Sequence, residues 1–290
     1  DYETALRLNP YSAFVLDEKA KLNFMIEKYG EGLENLEHAI AMEPDNHQLR
    51  DHRVDGYILT GEYISARNDI ELLKESGYNK ELTLLKHGLI QFLENELYMA
   101  RVSFEGVLEL NPENALAYDV LGLIALKEKN IDEAIGHFDQ AIAINPDFAL
   151  AIYNKGVAYK MNGLNEKALD LFDQAIEIQL DIAPVYFARG LLKKELGDMK
   201  GAIEDYSQMN TFDTTYFNAI YNRAFAYEMI GDFDNALIDA NHTIELNPDD
   251  AHAWKLRGNI HMLFGDYSEA VIDYTQALKL DGEMIEALFS

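Results

Sequence analysis

Arginine and aspartate recur in this sequence at a fixed spacing that suits ion pairing. Four arginines are each followed sixteen residues later by an aspartate: Arg53 and Asp69, Arg189 and Asp205, Arg223 and Asp239, Arg257 and Asp273. Where the 34-residue spacing of these pairs predicts further arginines, the chain has Lys19, His87, Leu121 and Lys155, followed by the non-acidic Asn35, Ser103, His137 and Leu171. A planar guanidinium can donate two hydrogen bonds to one carboxylate, so the joint occurrence predicts an ion pair. The alternative is an exposed arginine ladder for a partner, which would not need the aspartates.

Other residue types that perform chemistry do not form a recognisable site. The signatures GxxxxGK[ST], HExxH and GxSxG are absent from the sequence, and there is no cysteine. His47 and His52 are the closest histidines, and a spacing of five is poor for two metal ligands on one helix. Asn241-His-Thr243 matches a glycosylation acceptor by chance, since it falls within a predicted helix. We expect no catalytic residue, no metal and no cofactor, and predict that the chain is not an enzyme.

Charge limits the classes of partner. The 290 residues include 24 Lys and Arg against 51 Asp and Glu, a formal net charge of −27 without any basic block. Nucleic acid and anionic membrane are poor partners, because both require cations that neutralise phosphate. No apolar run reaches the roughly 18 residues that span a bilayer, so we expect no membrane insertion. The compartment stays open between cytoplasmic and exported, including a bacterial periplasmic protein or lipoprotein.

The elements that position these residues repeat every 34 positions. Small residues recur at Gly88, Gly122, Gly156, Gly190, Ala224 and Gly258, and twelve positions later at Ala100, Ala134, Ala168, Ala202, Ala236 and Ala270. Aromatic residues follow after four more positions at Phe104, Phe138, Phe172, Tyr206 and Tyr274, with Ala240 as the exception. The phase predicts eight repeats: 13–46, 47–80, 81–114, 115–148, 149–182, 183–216, 217–250 and 251–284. Partial repeats are expected at 1–12 and 285–290.

Each repeat is predicted to contain two helices. In 217–250 they are FNAIYNRAFAYEMI and FDNALIDANHTIEL, separated by Gly231 and Asp232. Glycine permits the left-handed conformation that ends a helix, and aspartate accepts hydrogen bonds from the free amides that begin the next. We expect glycine or alanine of the first helix to face alanine of the second. The aromatic residues are expected to fill the gap between neighbouring hairpins.

This pattern resembles the tetratricopeptide repeat family. In 251–284 the family's series of small and large residues stands as Trp254, Gly258, Ala270, Tyr274 and Ala277. The resemblance covers essentially the whole chain. It implies an all-α, right-handed superhelical solenoid of antiparallel helix pairs, with residues 1–290 as a single array.

The resemblance also implies where a partner binds. In the family, the second, fifth, ninth and twelfth residues of each repeat face a concave groove, where an asparagine commonly bonds the backbone of an extended ligand. The partner-binding residues predicted in this way are Leu85, Leu89, Phe92, Leu123, Tyr153, Asn154, Val157, Phe187, Leu191, Tyr221, Asn222 and Phe225. Burial between adjacent first helices is the alternative for the leucines, whereas exposure is favoured for Tyr153, Phe187, Tyr221 and Phe225.

We therefore predict a protein–protein interaction scaffold that binds a peptide or helix in an apolar concave groove. The acidic chain favours a partner that is apolar with basic flanks. One alternative is a regulatory or substrate-recruiting array of a longer enzyme, whose catalytic part lies outside these residues. Another is an assembly subunit that associates end to end, because neither end carries the polar capping repeat that a solenoid needs.

Overall fold

A computed structural model describes residues 12–212 and 216–282, apart from the side chains of 210–212. These residues form sixteen α-helices and no strand, which confirms the predicted all-α class. The helices are α1 Ala13–Met25, α2 Tyr29–Met42, α3 His47–Thr60, α4 Tyr63–Ser76, α5 Lys80–Leu93, α6 Leu97–Leu110, α7 Ala115–Lys127, α8 Ile131–Ile144, α9 Ala149–Met161, α10 Asn165–Ile178, α11 Ala183–Glu195, α12 Met199–Phe212, α13 Phe217–Ile230, α14 Phe233–Leu246, α15 Ala251–Phe264 and α16 Tyr267–Leu280. Apart from Ser12, the partial repeats predicted at 1–12 and 285–290 lie outside the described residues.

The helices pair into hairpins as the repeat predicts, with an odd-numbered first helix and an even-numbered second helix. Asp198 Oδ1 accepts a hydrogen bond of 2.9 Å from the backbone N–H of Gly201 at the start of α12, and Asp232 caps α14 through the N–H of Asn235 at 3.4 Å. Several hairpins turn through a glycine with positive φ: Gly61, Gly163, Gly197, Gly231 and Gly265. Only glycine adopts this conformation without steric cost, so the turns follow directly from local sequence.

The chain divides into two compact parts, residues 1–145 and residues 146–290, called here the first half and the second half. The first half contains α1–α8 and the second half contains α9–α16. Within each half, the second helix of a hairpin packs against its own first helix and against the first helix of the next hairpin. The prediction that residues 1–290 form a single solenoid stays a prediction.

The alanine column lies where the two helices of a hairpin meet. Its members have no exposed surface: Ala100, Ala134, Ala168, Ala202, Ala236 and Ala270. The predicted burial of this column is confirmed. A side chain larger than a methyl group at these positions would have to displace the backbone of the facing helix, because protein interiors are already close-packed.

The aromatic column packs inside its own hairpin as well as against the next one. The ring of Phe172 lies over the glycine of its own hairpin, and a Cβ atom on Gly156 would stand 2.7 Å from Phe172 Cε1. The same Cβ would be 3.4 Å from the carbonyl oxygen of Ala168, so the ring is the nearer neighbour. The ring therefore fills space inside its own hairpin, whereas Phe104 also shares a core with Ala117 and Leu121 of the next hairpin, as expected.

The hairpins that lack glycine on the first helix also lack an aromatic ring on the second helix. Where the first helix has a side chain in place of glycine, the second helix has an aliphatic residue in place of the ring. These pairs are Ala20 with Leu36, Val54 with Ile70 and Ala224 with Ala240, all fully buried. A hairpin accommodates either a side chain on the first helix or a ring on the second, because volume-conserving exchanges are the ones a core tolerates.

Candidate protein-binding surface

The four arginine–aspartate pairs form inside single hairpins, which confirms the prediction. Arg223 Nε lies 2.7 Å from Asp239 Oδ2 and its Nη2 lies 2.8 Å from Asp239 Oδ1. Arg53 and Arg257 make the same two bonds to Asp69 and Asp273, at 2.6–2.8 Å. The hydrogen bonds to Asp239 hold the pKa of Arg223 above its ordinary value. Each pair joins the two helices of a hairpin by charge-assisted hydrogen bonds.

In the second half, each arginine also reaches the second helix of the preceding hairpin. Nη1 of Arg189 donates to Asp173 Oδ1 at 2.5 Å, and Nη1 of Arg257 donates to Asn241 Oδ1 at 2.8 Å. The corresponding atom of Arg223 lies 3.2 Å from the hydroxyl oxygen of Ser207. The sequence analysis did not predict this contact. These guanidinium groups are occupied within the protein, so the interpretation as a ladder that binds a partner is not supported.

The glycosylation-like triplet is also occupied by structural contacts. The side-chain oxygen of Asn241 accepts the bond from Arg257, and Thr243 is fully buried, with its hydroxyl donating to the carbonyl oxygen of Ala240 at 2.7 Å. A glycosylation acceptor needs an exposed loop. The match is therefore coincidental, as expected.

First helices of the first half are joined by contacts between acidic and basic side chains. His52 Nδ1 on α3 lies 2.7 Å from Asp17 Oδ1 on α1, and Lys86 Nζ on α5 lies 2.8 Å from both Asp51 Oδ1 and Asp55 Oδ1. Burial raises the pKa of Asp17, but hydrogen bonds from His52 and a neighbouring lysine outweigh it and leave this pKa lowered. The contacts of His52 with Asp17 and of Lys86 with Asp51 were missed because their sequence signal, an aspartate followed by a basic residue 35 positions later, crosses from one repeat to the next. The Nδ1 atom of His52 is thus engaged by the Asp17 carboxylate.

The predicted binding residues of the first half divide between core and surface. Leu85 is 8% exposed and belongs to the core formed with Ala100, Phe104 and Val107, so its assignment as a contact residue was wrong. Leu89, Phe92 and Leu123 are half-buried. Lys127 Nζ lies 4.6 Å from the centre of the Phe92 ring, which partly covers that ring.

In the second half, four of the predicted residues line one open pocket of about 660 Å³. Tyr153 and Val157 of α9 face Phe187 and Leu191 of α11 across it. The lining is completed by Lys160, Phe172, Ala183, Pro184, Ala188, Met209 and Tyr216. The lining is mostly apolar, which is typical of surfaces that bind the side chain of a ligand.

The rings that line the pocket pack against one another. Phe187 meets Tyr216 edge to face, with centroids 5.2 Å apart and an interplanar angle of 83°. Tyr153 packs against Phe172 at 5.7 Å, and burial raises the pKa of the Tyr153 hydroxyl, which stays protonated as a hydrogen-bond donor. The pocket therefore exists before a ligand arrives, which reduces the entropy lost on binding.

Tyr221, Asn222 and Phe225 continue this surface on α13, outside the pocket lining. All three are half-buried, and the Phe225 ring centre lies 5.6 Å from Lys194 Nζ. The side chain of Asn222 accepts a bond of 2.6 Å from Lys194 and donates one of 2.7 Å to the carbonyl oxygen of Asn218. Asn222 is therefore engaged within the protein. Asn154 is half-buried and is not part of the pocket lining.

Comparison with known proteins decides the family. Models of the tetratricopeptide repeat match residues 122–163, 149–182, 183–210 and 251–283, and the last three matches each begin at the first residue of a repeat. The chain is a tetratricopeptide repeat protein. This fold is typically a non-catalytic scaffold, and the repeats of this tetratricopeptide protein support a scaffold for protein–protein interaction. None of the sixteen described helices combines the length and apolar character needed to cross a bilayer.

Several tetratricopeptide proteins of known structure share the fold. YrrB, described as having an unusual peptide-binding site, is 19% identical with a TM-score of 0.59, over 64% of this chain and 96% of YrrB. The Cut9-Hcn1 hetero-tetramer of the APC/C aligns over 99% of this chain and 57% of the other, at 17% identity and a TM-score of 0.64. PilF of Pseudomonas aeruginosa aligns over 70% of this chain and 92% of its own, at 16% identity and a TM-score of 0.62.

A curated relative matches only part of the chain. RNA polymerase II-associated protein 3 of Mus musculus is 29% identical over 112 residues, or 39% of this tetratricopeptide protein. The match spans 17% of the length of that relative. The likeness extends to a few repeats.

Proposed function

We propose that the second half binds an apolar segment of a partner protein through the pocket lined by Tyr153, Val157, Phe187 and Leu191. The observation that carries the proposal is the open pocket of about 660 Å³ with this largely apolar lining. Tyr221 and Phe225 extend the surface along the next first helix. Leu89, Phe92 and Leu123 form a separate apolar surface of the first half, which supplies further contacts.

The energetics favour an aromatic or aliphatic anchor in this pocket. Binding free energy at protein interfaces is concentrated in a few residues that fill preformed pockets near the centre. The pocket volume lies within the range of about 300–1,000 Å³ typical of ligand sites. YrrB, which shares the fold, is described as having a peptide-binding site, and this is consistent with a peptide ligand for the present chain.

The test must block the pocket without removing its walls. Truncation of Phe187 is unsuitable, because its ring packs on Tyr206 and Tyr216 and its loss would also destabilise the fold. Ala188→Glu instead places a charge in the lining. Ala143→Glu is the matched control, because it introduces the same side chain at an exposed position of α8.

Peptides are first selected from a random dodecapeptide phage library against the parent protein, and their affinities are then measured by isothermal titration calorimetry. We expect Ala188→Glu to weaken binding by tenfold or more, about 1.4 kcal/mol, while Ala143→Glu leaves it unchanged. Thermal melting of both variants should stay close to that of the parent. Selection of no peptide, or equal affinity in both variants, would exclude this pocket as the binding site.

A further inference from the structure

Glu228 occupies the twelfth position of its repeat, on the same face as the proposed binding surface. Lys160 and Lys194 hold the equivalent positions of the two preceding repeats. Lys160 lines the pocket, and Lys194 lies over the ring of Phe225. The register therefore places the carboxylate of Glu228 beside the same surface, one first helix further along the chain.

The two lysines are paired within the protein, whereas Glu228 is not. Lys160 Nζ bonds to Glu195 at 2.9 Å, and Lys194 Nζ bonds to Asn222 at 2.6 Å. No described residue forms a hydrogen bond or an ion pair with the half-buried Glu228 side chain. The residues of the second half whose side chains are not described include no lysine, arginine or histidine. The second half therefore leaves this carboxylate without a cation of its own.

Two tyrosines lie near enough to this carboxylate to be affected by its charge. Burial alone raises the pKa of Glu228, with no cation to oppose it. The charge of Glu228 in turn contributes to the raised pKa values of Tyr221 and Tyr274. The Tyr274 hydroxyl is held by a bond of 2.9 Å to Asn259 Oδ1. A half-buried carboxylate near tyrosine rings suits a lysine or arginine side chain, which combines an ion pair with the carboxylate and cation–π contact with a ring.

We propose that Glu228 binds a lysine or arginine side chain of the same segment whose apolar residue fills the pocket lined by Tyr153, Phe187 and Leu191. This inference rests on the proposed function and specifies the chemistry of its partner. The net charge of −27 attracts cationic segments at long range, and Glu228 is the point at which the basic side chain of the segment binds.

The geometry of the second half also predicts a spacing between the two anchors. The pocket lies between α9 and α11, and Glu228 is on α13. With first helices about 8–10 Å apart, the centre of the pocket, midway between α9 and α11, is about 12–15 Å from α13. An extended chain advances about 3.3 Å per residue, so about four to five residues separate the apolar anchor from the basic one.

The experiment selects peptides from a random dodecapeptide phage library against four full-length proteins: the parent, Glu228→Gln, Ala188→Glu and Glu204→Gln. Glu204 is exposed on the second helix α12, so its variant makes the same charge change away from the surface. We expect the parent and Glu204→Gln to select an apolar residue followed or preceded by Lys or Arg at this spacing. Glu228→Gln should keep the apolar preference and lose the basic one, and Ala188→Glu should lose the apolar preference.

The best peptide and its lysine→norleucine version are then compared by fluorescence polarisation. Glu228→Gln should weaken binding of the lysine peptide about tenfold and that of the norleucine peptide by less than twofold. A basic preference that survives in Glu228→Gln, or peptides with an apolar preference alone, would overturn the assignment of Glu228 and leave the pocket intact. Failure of the parent to select any peptide would overturn the pocket as well. Melting of Glu228→Gln serves as the folding control.

Discussion

Tyr206 differs from the phenylalanines of the aromatic column by a single hydroxyl group. Its ring occupies the position that Phe104, Phe138 and Phe172 hold in other hairpins, and all are fully buried. Its hydroxyl has no hydrogen-bond partner among the described residues. The equivalent hydroxyl of Tyr274 donates to Asn259, but the residue equivalent to Asn259 in the Tyr206 hairpin is Leu191.

We therefore expect Tyr206→Phe to stabilise the protein by about 1 kcal/mol. The substitution removes a buried hydroxyl that loses its hydrogen bonds to water on folding and gains none in the protein. Tyr274→Phe is the matched control and should destabilise by a similar amount, since it breaks a bond that exists. Urea unfolding followed by circular dichroism measures both. Destabilisation in both variants would show that the Tyr206 hydroxyl is satisfied in solution.

The two carboxylates that bond to Arg189 are expected to differ in their contribution to stability, because their surroundings differ. The Asp205 side chain is 2% exposed and also pairs with Lys193 Nζ at 3.0 Å, whereas that of Asp173 is 56% exposed. We expect Asp205→Asn to lower the free energy of unfolding by about 3–5 kcal/mol, since it leaves two cations without a buried counter-ion. Asp173→Asn should cost less than about 1 kcal/mol. Equal losses in urea unfolding would contradict this ranking.

At the scale of the hairpin, the pairing of glycine on the first helix with an aromatic ring on the second can be tested by substitution. Gly156→Ala should cost about 1–3 kcal/mol, because the new methyl group would meet the Phe172 ring at 2.7 Å. The double variant Gly156→Ala with Phe172→Leu should have nearly the same free energy of unfolding as Phe172→Leu alone. The hairpins that pair alanine with leucine or with alanine already show this combination. Additive losses in thermal unfolding would mean that the ring and the glycine are independent.

Elements within one repeat could be predicted from the sequence, whereas contacts between repeats could not. The helix pairs, the turns at Gly231 and the buried alanine column follow from periodicity, because each depends on residues of a single hairpin. The bond from Arg189 to Asp173 depends on how two hairpins stack. Leu85 was misplaced for the same reason: the fifth residue faces the pocket in α9 and α11 but packs into the core in α5.

For the molecule as a whole, the charge balance predicts how salt acts on stability. The buried pairs, such as Arg223 with Asp239, are shielded from solvent, and salt screens them little. The 51 acidic residues against 24 basic ones repel each other at longer range, and this repulsion weakens as the Debye length falls from about 30 Å at 0.01 M salt to about 8 Å at 0.15 M. We therefore expect sodium chloride over this range to raise the melting temperature by about 2–4 °C, which corresponds to about 1 kcal/mol for a chain of this size. Differential scanning calorimetry measures the shift, and sodium sulfate at equal ionic strength separates screening from ion-specific effects. A melting temperature that falls with added sodium chloride would mean that exposed ion pairs, rather than net repulsion, dominate the electrostatic free energy of this acidic protein.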